Sequence, residues 1–124
     1  LLQYPDIYNT GIAVASVPDL ALYDAIYQEK YMQTPATNPE GYKNGSPITH
    51  AGKLSGKLLV IHGTGDDNVH YQNTEALIDK LIGHNKPFSM MSYPNRRHSI
   101  REGKNTRLHL YTLMTGFLLD NLSP

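Results

Sequence analysis

Four consecutive aliphatic residues, Leu58 to Ile61, run directly into the turn and charge cluster His-Gly-Thr-Gly-Asp-Asp. A short, continuous apolar run that ends in a turn signal is typical of a strand buried on both faces of a parallel sheet. Two other short runs, Ile12 to Ala15 and Phe88 to Tyr93, have the same character, and prolines flank the second of them. The sequence therefore predicts three strands of one parallel sheet.

Helix-like segments alternate with these strands. The residues of the clearest one recur at helical spacing and end at a glycine stop, Gly83. A last helix is predicted from a cap at Asn105 or Thr106 through to Leu122, and it should pack flat on the sheet. Its apolar stripe comprises Leu108, Tyr111, Leu113, Met114, Phe117 and Leu118. Alternation of strand and helix implies right-handed crossovers, so the predicted fold class is α/β.

Composition excludes several function classes. The chain has 124 residues, which fits one ordinary domain or a piece of a larger one. Eleven basic residues balance eleven acidic ones, so no long-range field favours nucleic acid or an anionic membrane. There is no cysteine, and no apolar run reaches the roughly 18 to 20 residues of a membrane helix. The N-terminus lacks a methionine and a signal core, and we interpret it as a cut edge.

The segment between Met32 and Gly56 interrupts the alternation of strand and helix. It contains three prolines and several glycine, asparagine and threonine residues, but it is not of low complexity. We interpret it as an ordered surface excursion that Tyr42 and Ile48 anchor to the rest of the domain.

Two ionisable clusters follow neighbouring strands. Asp66 and Asp67 come after the strand at 58–61, and the residues 95–99 follow the third strand. Because ligands and catalytic groups collect at the carboxyl edge of an open parallel sheet, both clusters are expected there. Asp66 and His98 could then come within hydrogen-bond reach although 32 residues separate them. An acid followed by a histidine is the second half of a hydrolase triad, and the nucleophile is missing.

Other interpretations of these residues stay open at this point. Asp66 could be a surface turn acid, and Asp67 is better explained as a loop-structuring or capping acid. His62 and His70 could join the two aspartates in a metal cluster, but the spacing matches neither a zinc site nor a calcium loop, and no metal is predicted.

Longer stretches carry a specific resemblance to a known family. The residues 58–72 read LLVIHGTGDDNVHYQ, and YPNRRHSI, NTRLHLYTLMTGFL and GIAVASVPDLALYDAIYQEKYM also take part. Together they resemble the C-terminal end of dipeptidyl peptidase IV-type enzymes in the prolyl oligopeptidase family of serine peptidases. The resemblance implies that residues 1–124 are the C-terminal part of an α/β-hydrolase peptidase domain. It also implies that the nucleophilic serine, in a Gly-x-Ser-x-Gly elbow, lies upstream, so this chain alone is expected to be inactive.

The resemblance assigns roles residue by residue. Asp66 matches the triad acid and His98 the triad base. Positions that match substrate-binding residues are Asn68, which would hold a backbone carbonyl of the substrate, and the proline-pocket residues Tyr23, Tyr27, Val17 and Val69. Tyr23 and Tyr27 are four residues apart, and this spacing predicts that they share one helix face. By themselves, these two tyrosines are better explained as a packing stripe than as a pocket, and only the resemblance reverses this interpretation.

The implied function is a post-proline dipeptidyl peptidase that releases dipeptides from the N-termini of peptides. Its substrates would carry proline or alanine next to the cleaved bond, no cofactor is implied, and the protein would be periplasmic or secreted. Alternatives are another hydrolase of the family, such as an acylaminoacyl peptidase or esterase, and a non-catalytic module that only packs or binds. Because three strands would leave an exposed sheet edge, the chain is also expected to form a homo-oligomer.

Overall fold

A three-stranded parallel sheet organises the chain, as seen in a computed structural model that describes residues 1–122. The strands are β1 (Thr10–Val14), β2 (Lys57–Gly63) and β3 (Ser89–Tyr93), and their order across the sheet is β1-β2-β3. The predicted parallel sheet with flanking helices is confirmed. The last two positions of the predicted domain, 123 and 124, lie outside the described residues.

Among residues 1–122, four α-helices and two short 3-10 helices accompany the sheet. The α-helices are α1 (Ala25–Met32), α2 (Pro39–Gly45), α3 (Gln72–Gly83) and α4 (Thr106–Asn121). The 3-10 helices are Leu20–Leu22 and Pro47–Lys53. The end of α3 at Gly83 and the start of α4 after Asn105 agree with the predictions.

The proline-rich excursion contains more regular structure than expected. Pro39 and Pro47 each stand in the first turn of a helix, where a proline needs no backbone N–H partner. The predicted anchors are confirmed, because Tyr42 is buried and donates its hydroxyl to the Gln33 carbonyl at 2.8 Å, and Ile48 packs against the core. The sequence analysis treated the prolines only as breakers and therefore missed the two short helices.

Strand β2 separates two hydrophobic clusters because its side chains alternate between the two faces of the sheet. Leu58 and Val60 pack with Leu77 and Leu81 of α3 on one face. Leu59 and Ile61 point to the other face, where the cluster is completed by Tyr93, Ile100 and Leu110. Each fully buried aliphatic side chain of this kind contributes about 1.5 to 3 kcal/mol through removal from water. The core therefore fixes β2, the strand from which the candidate site extends.

Helix α4 covers the second face with a narrower stripe than predicted. Leu113, Met114 and Phe117 pack against the cluster around Ile61, together with the buried Leu110. Three residues of the predicted stripe are wrong as core positions, because Leu108, Tyr111 and Leu118 are exposed. The helix carries apolar residues around much of its circumference, so the sequence does not define which side faces the sheet. No helix among residues 1–122 has the length and hydropathy that crossing a bilayer requires.

Candidate active site

The Asp66 carboxylate lies in the loop directly after β2 and is enclosed by hydrogen-bond donors. Its Oδ2 atom accepts from His98 Nδ1 and from His62 Nε2, each at 2.9 Å. Its Oδ1 atom accepts from the backbone N–H groups of Asn68 at 2.9 Å and Val69 at 3.0 Å. The Asp66 side chain is inaccessible to solvent, so these four donors replace the water that a carboxylate otherwise binds.

Hydrogen bonding keeps Asp66 ionised in spite of its burial. Burial by itself raises the pKa of this carboxyl, but the bonds from His98, from the two backbone N–H groups and from His62 outweigh that effect. The net result is a pKa of Asp66 below the ordinary aspartate value. A negative charge therefore stays in place beside two imidazoles at neutral pH.

His98 reaches Asp66 from the loop that follows β3. Because the carboxylate accepts the hydrogen bond, Nδ1 of His98 carries the proton, and Nε2 on the other side of the ring takes no part in this contact. The side chain is 43% exposed, in contrast to the enclosed Asp66. The predicted meeting of the two residues at one sheet edge is present, and the ring is oriented as a general base requires.

A buried isoleucine and a glutamate position the His98 loop. Ile100 is fully buried in the cluster on the α4 side of the sheet, and its φ of 45° lies in the left-handed region that a β-branched residue rarely adopts. The Glu102 Oε2 atom accepts the backbone N–H groups of Arg97 and Arg101, each at 3.2 Å. The sequence analysis missed both residues, although an apolar residue inside a polar loop was a usable signal.

Backbone hydrogen bonds join the two loops to one another. The Thr64 N–H donates to the Tyr93 carbonyl at 2.9 Å, and the Gly65 N–H donates to the Arg96 carbonyl at 3.1 Å. In return, the Asn95 N–H donates to the Thr64 hydroxyl at 2.8 Å. Asp66 and His98 thus lie on two loops that backbone hydrogen bonds connect into one unit.

Gly63, the last residue of β2, permits this close approach. A methyl group at this position would overlap the carbonyl oxygen of Arg96 and would lie 2.9 Å from that of Arg97. These contacts are with backbone atoms, which cannot move aside as easily as the end of a flexible side chain. A side chain at residue 63 would therefore force the His98 loop away from Asp66.

The residues of the alternative metal cluster have other partners. Both ring nitrogens of His62 are engaged in the protein interior, while His70 is exposed and its Nδ1 accepts the Gln72 N–H at 3.3 Å. Within residues 1–122, no three histidine, cysteine, aspartate or glutamate side chains are arranged to hold a metal ion. Asp67 pairs with Arg97 at 3.5 Å, and both side chains are exposed, so this pair contributes at most about 1 kcal/mol.

The two tyrosines do not share a helix, so that prediction is wrong. The Asp24 side chain accepts the Ile26 N–H and starts α1 at Ala25, which leaves Tyr23 before the helix and Tyr27 within it. The rings nevertheless meet edge to face with centroids 5.8 Å apart. The Tyr23 hydroxyl also donates to Asn68 Oδ1 at 3.3 Å, so both tyrosines and Asn68 are connected to the Asp66 loop.

The two valines lie in different surroundings. Val69 is buried, and its carbonyl accepts a hydrogen bond from His62 at 2.9 Å. Val17 lines an apolar cavity of about 200 Å³ between β1, β2 and α3, to which neither tyrosine contributes. Within residues 1–122, the contacts therefore group Tyr23, Tyr27 and Asn68, whereas Val17 stands apart.

Comparisons with known proteins show the family and the fold that this chain shares with others. The model of the prolyl oligopeptidase family matches residues 1–124. The crystal structure of dipeptidyl peptidase 4 from Porphyromonas gingivalis is 46% identical in sequence, with a TM-score of 0.94 over 98% of this chain and 17% of that one. A putative dipeptidyl aminopeptidase IV from Bacteroides ovatus is 34% identical, with a TM-score of 0.91 over the same shares.

A curated relative adds to this comparison. A probable dipeptidyl-aminopeptidase B from Uncinocarpus reesii is 49% identical over 96 residues, which are 75% of this chain and 10% of the relative. The chain thus spans about a tenth of this relative and 17% of each of the two solved structures.

Proposed function

This chain belongs to the prolyl oligopeptidase family, and from that premise we propose that it supplies the acid and the base of a serine peptidase active site. In this proposal His98 takes the proton of an attacking serine and later gives it to the leaving amine. Asp66 holds the imidazole in the Nδ1–H tautomer and stabilises the imidazolium that forms. The serine would come from a part of the full-length protein that precedes this chain.

One observation carries the proposal. The hydrogen bond of 2.9 Å from His98 Nδ1 to Asp66 Oδ2 joins a partly exposed imidazole to an enclosed carboxylate. A histidine held in this way presents Nε2 to the surroundings as a proton acceptor. A histidine with a purely structural role is more often enclosed on both sides of its ring, whereas the His98 side chain is partly exposed and bound to a buried charge through Nδ1 alone among the contacts described above.

The proposed substrates are peptides from which a dipeptide is released after proline or alanine. Tyr23 and Tyr27 offer aromatic surface of the kind that suits a proline ring. The Oδ1 atom of Asn68 accepts from Tyr23, so the Nδ2 amide group of Asn68 is left as a donor for a substrate carbonyl. The names of the similar proteins, dipeptidyl peptidase and dipeptidyl-aminopeptidase, support this choice of substrate. Export to the periplasm or secretion stays a prediction from the family resemblance.

The test compares the full-length protein with residues 1–124 alone on a Gly-Pro or Ala-Pro chromogenic amide. The full-length protein should release the chromophore and the isolated chain should not, because it contains no Gly-x-Ser-x-Gly elbow and hence lacks the nucleophile and part of the oxyanion hole. Faster cleavage of an N-acetylated amide would favour an acylaminoacyl peptidase. Absence of hydrolysis by the full-length protein would favour a non-catalytic module. Turnover by the isolated chain that His98→Ala abolishes would contradict the missing nucleophile.

We also propose that residues 1–124 associate with themselves when isolated. Among the described residues, β1 pairs only with β2, so its other edge presents unpaired backbone groups, and Val14 at its end is 40% exposed. Sedimentation velocity should show oligomers whose share grows with concentration. A stable monomer at high concentration would contradict this expectation.

A further inference from the structure

We propose that the buried His62 is a positioning residue for Asp66, and that its N–H donor limits how strongly Asp66 attracts the proton held by His98. This inference rests on the proposed function, because it assigns a role within the same acid and base pair. His62 lies on β2 and its side chain is inaccessible to solvent. Its polar contacts are with Asp66, the Val69 carbonyl and the Thr74 hydroxyl, so its link to His98 runs through Asp66.

The hydrogen bonds of His62 define which nitrogen carries a proton. Its Nε2 atom lies 2.9 Å from Asp66 Oδ2 and 2.9 Å from the Val69 carbonyl oxygen. A carbonyl and a carboxylate can only accept, so Nε2 is the donor to both. On the other side of the ring, Nδ1 lies 2.7 Å from the Thr74 hydroxyl of α3, and the ring of Tyr71 packs against it edge to face. The imidazole is therefore fixed on all sides.

Asp66 Oδ2 thus divides its charge between two imidazoles. A carboxylate offers about four acceptor positions, and the four donors on Asp66 fill them. If His62 lost its donor, the two backbone N–H groups would still hold Oδ1 in place. More of the negative charge would then face His98, and the protonated form of His98 would be stabilised.

Other charged and titratable groups lie near Asp66 and His98, but the substitutions of His62 described below leave them unchanged. Asp67 and Arg97 pair with one another on the surface, and Glu102 accepts backbone N–H groups in the His98 loop. Tyr71 contacts the His62 ring and shares a hydrogen bond of 2.7 Å with the Ser92 hydroxyl. All of them are the same in every variant, so a difference between variants reports the His62 donor.

The test uses the full-length protein with matched substitutions of His62. His62→Asn and His62→Met both remove the donor at the Nε2 position, whereas His62→Gln places an amide N–H near that position. The titration of His98 is followed by hydrogen–deuterium exchange at its Cε1–H, read by peptide mass spectrometry. The midpoint should rise by about half a pH unit or more in the donor-less variants, because the carboxylate charge that His62 no longer shares then faces His98. In His62→Gln it should stay close to that of the unsubstituted protein.

Each outcome decides the inference. The acid limb of kcat/KM should move to higher pH by the same amount, and His62→Gln should restore it. Equal midpoints in all variants, or an equal shift in His62→Gln, would overturn the role of the donor. If both donor-less variants failed to fold while His62→Gln folded, His62 would be a structural residue and the inference would be wrong. Because the exchange measurement needs no turnover, an inactive protein that shows the shift would reject the proposed function and leave the His62 inference standing.

Discussion

Replacing His98 by alanine in the full-length protein should lower kcat on a Gly-Pro amide by a factor on the order of 10⁴ or more. In the proposed mechanism, the variant lacks the group that would remove the serine proton and protonate the leaving amine. Asp66→Asn should have an effect of similar order, because an amide N–H facing His98 Nδ1 favours the wrong imidazole tautomer. Steady-state kinetics at saturating substrate measure both effects, and KM should change far less than kcat.

A matched histidine provides the control for this expectation. His70 is exposed and has no contact with Asp66, so His70→Ala should retain nearly full activity. Thermal unfolding of each variant separates a catalytic loss from a folding defect, and Asp66→Asn in particular is close in shape to the original side chain. If His98→Ala kept more than about a tenth of the activity, a value far above the expected residual, the pair would not be catalytic.

Gly63→Ala should also abolish most of the activity, for a purely steric reason. The added methyl group overlaps the Arg96 carbonyl oxygen and lies 2.8 Å from the Arg96 carbonyl carbon. Relief requires the backbone of the His98 loop to move, and overpacking of this kind costs about 1 to 3 kcal/mol. We expect kcat to fall by about 100-fold or more, since a displacement near 1 Å can cost that factor. Chemical denaturation should show the corresponding loss in the free energy of unfolding.

Gly83 supplies the control for this substitution. It is the last residue of α3, and a methyl group there would meet no atom within 4 Å. Gly83→Ala should therefore leave activity unchanged and should alter stability by no more than about 1 kcal/mol. Wild-type activity in Gly63→Ala would show that the two loops are free to separate without consequence for the site.

The sequence predicted the parts of the site that depend on topology. Parallel strands end at the same sheet edge, so a loop after β2 and a loop after β3 had to meet, and Asp66 and His98 do so. His62 was harder to interpret, because a histidine at the end of a buried strand is equally compatible with a metal ligand. Its proposed role rests on the Nε2 contacts with Asp66 and Val69, and the Thr74 contact that engages Nδ1 follows from tertiary packing and not from local sequence.

Local errors have equally physical causes. Spacing alone placed Tyr23 and Tyr27 on one helix, but the Asp24 side chain competes for the first free N–H groups and moves the helix start. The side of α4 that faces the sheet could not be predicted from the sequence, because apolar residues occur all around this helix. In the structure, Leu110 and Phe117 are on that side. Ile100 occupies a backbone conformation that its residue type disfavours, and the burial of its side chain and its N–H bond to the Arg97 carbonyl accompany it.

The strand order bears on how such a domain folds. Strands that follow one another along the chain are also neighbours in the sheet, so each pairing closes a single crossover. The paired residues are distant in sequence, because Thr10 lies opposite Lys57 and Leu59 opposite Ser89, and parallel pairing over such separations is slow. The four hydrogen bonds on Asp66 join it to residues 2 to 4 positions away and to His98, 32 positions away, all within this same unit. We expect Asp66 and His98 to come together when β2 pairs with β3, so their hydrogen bond should form in a slow, cooperative step and not in an early local one.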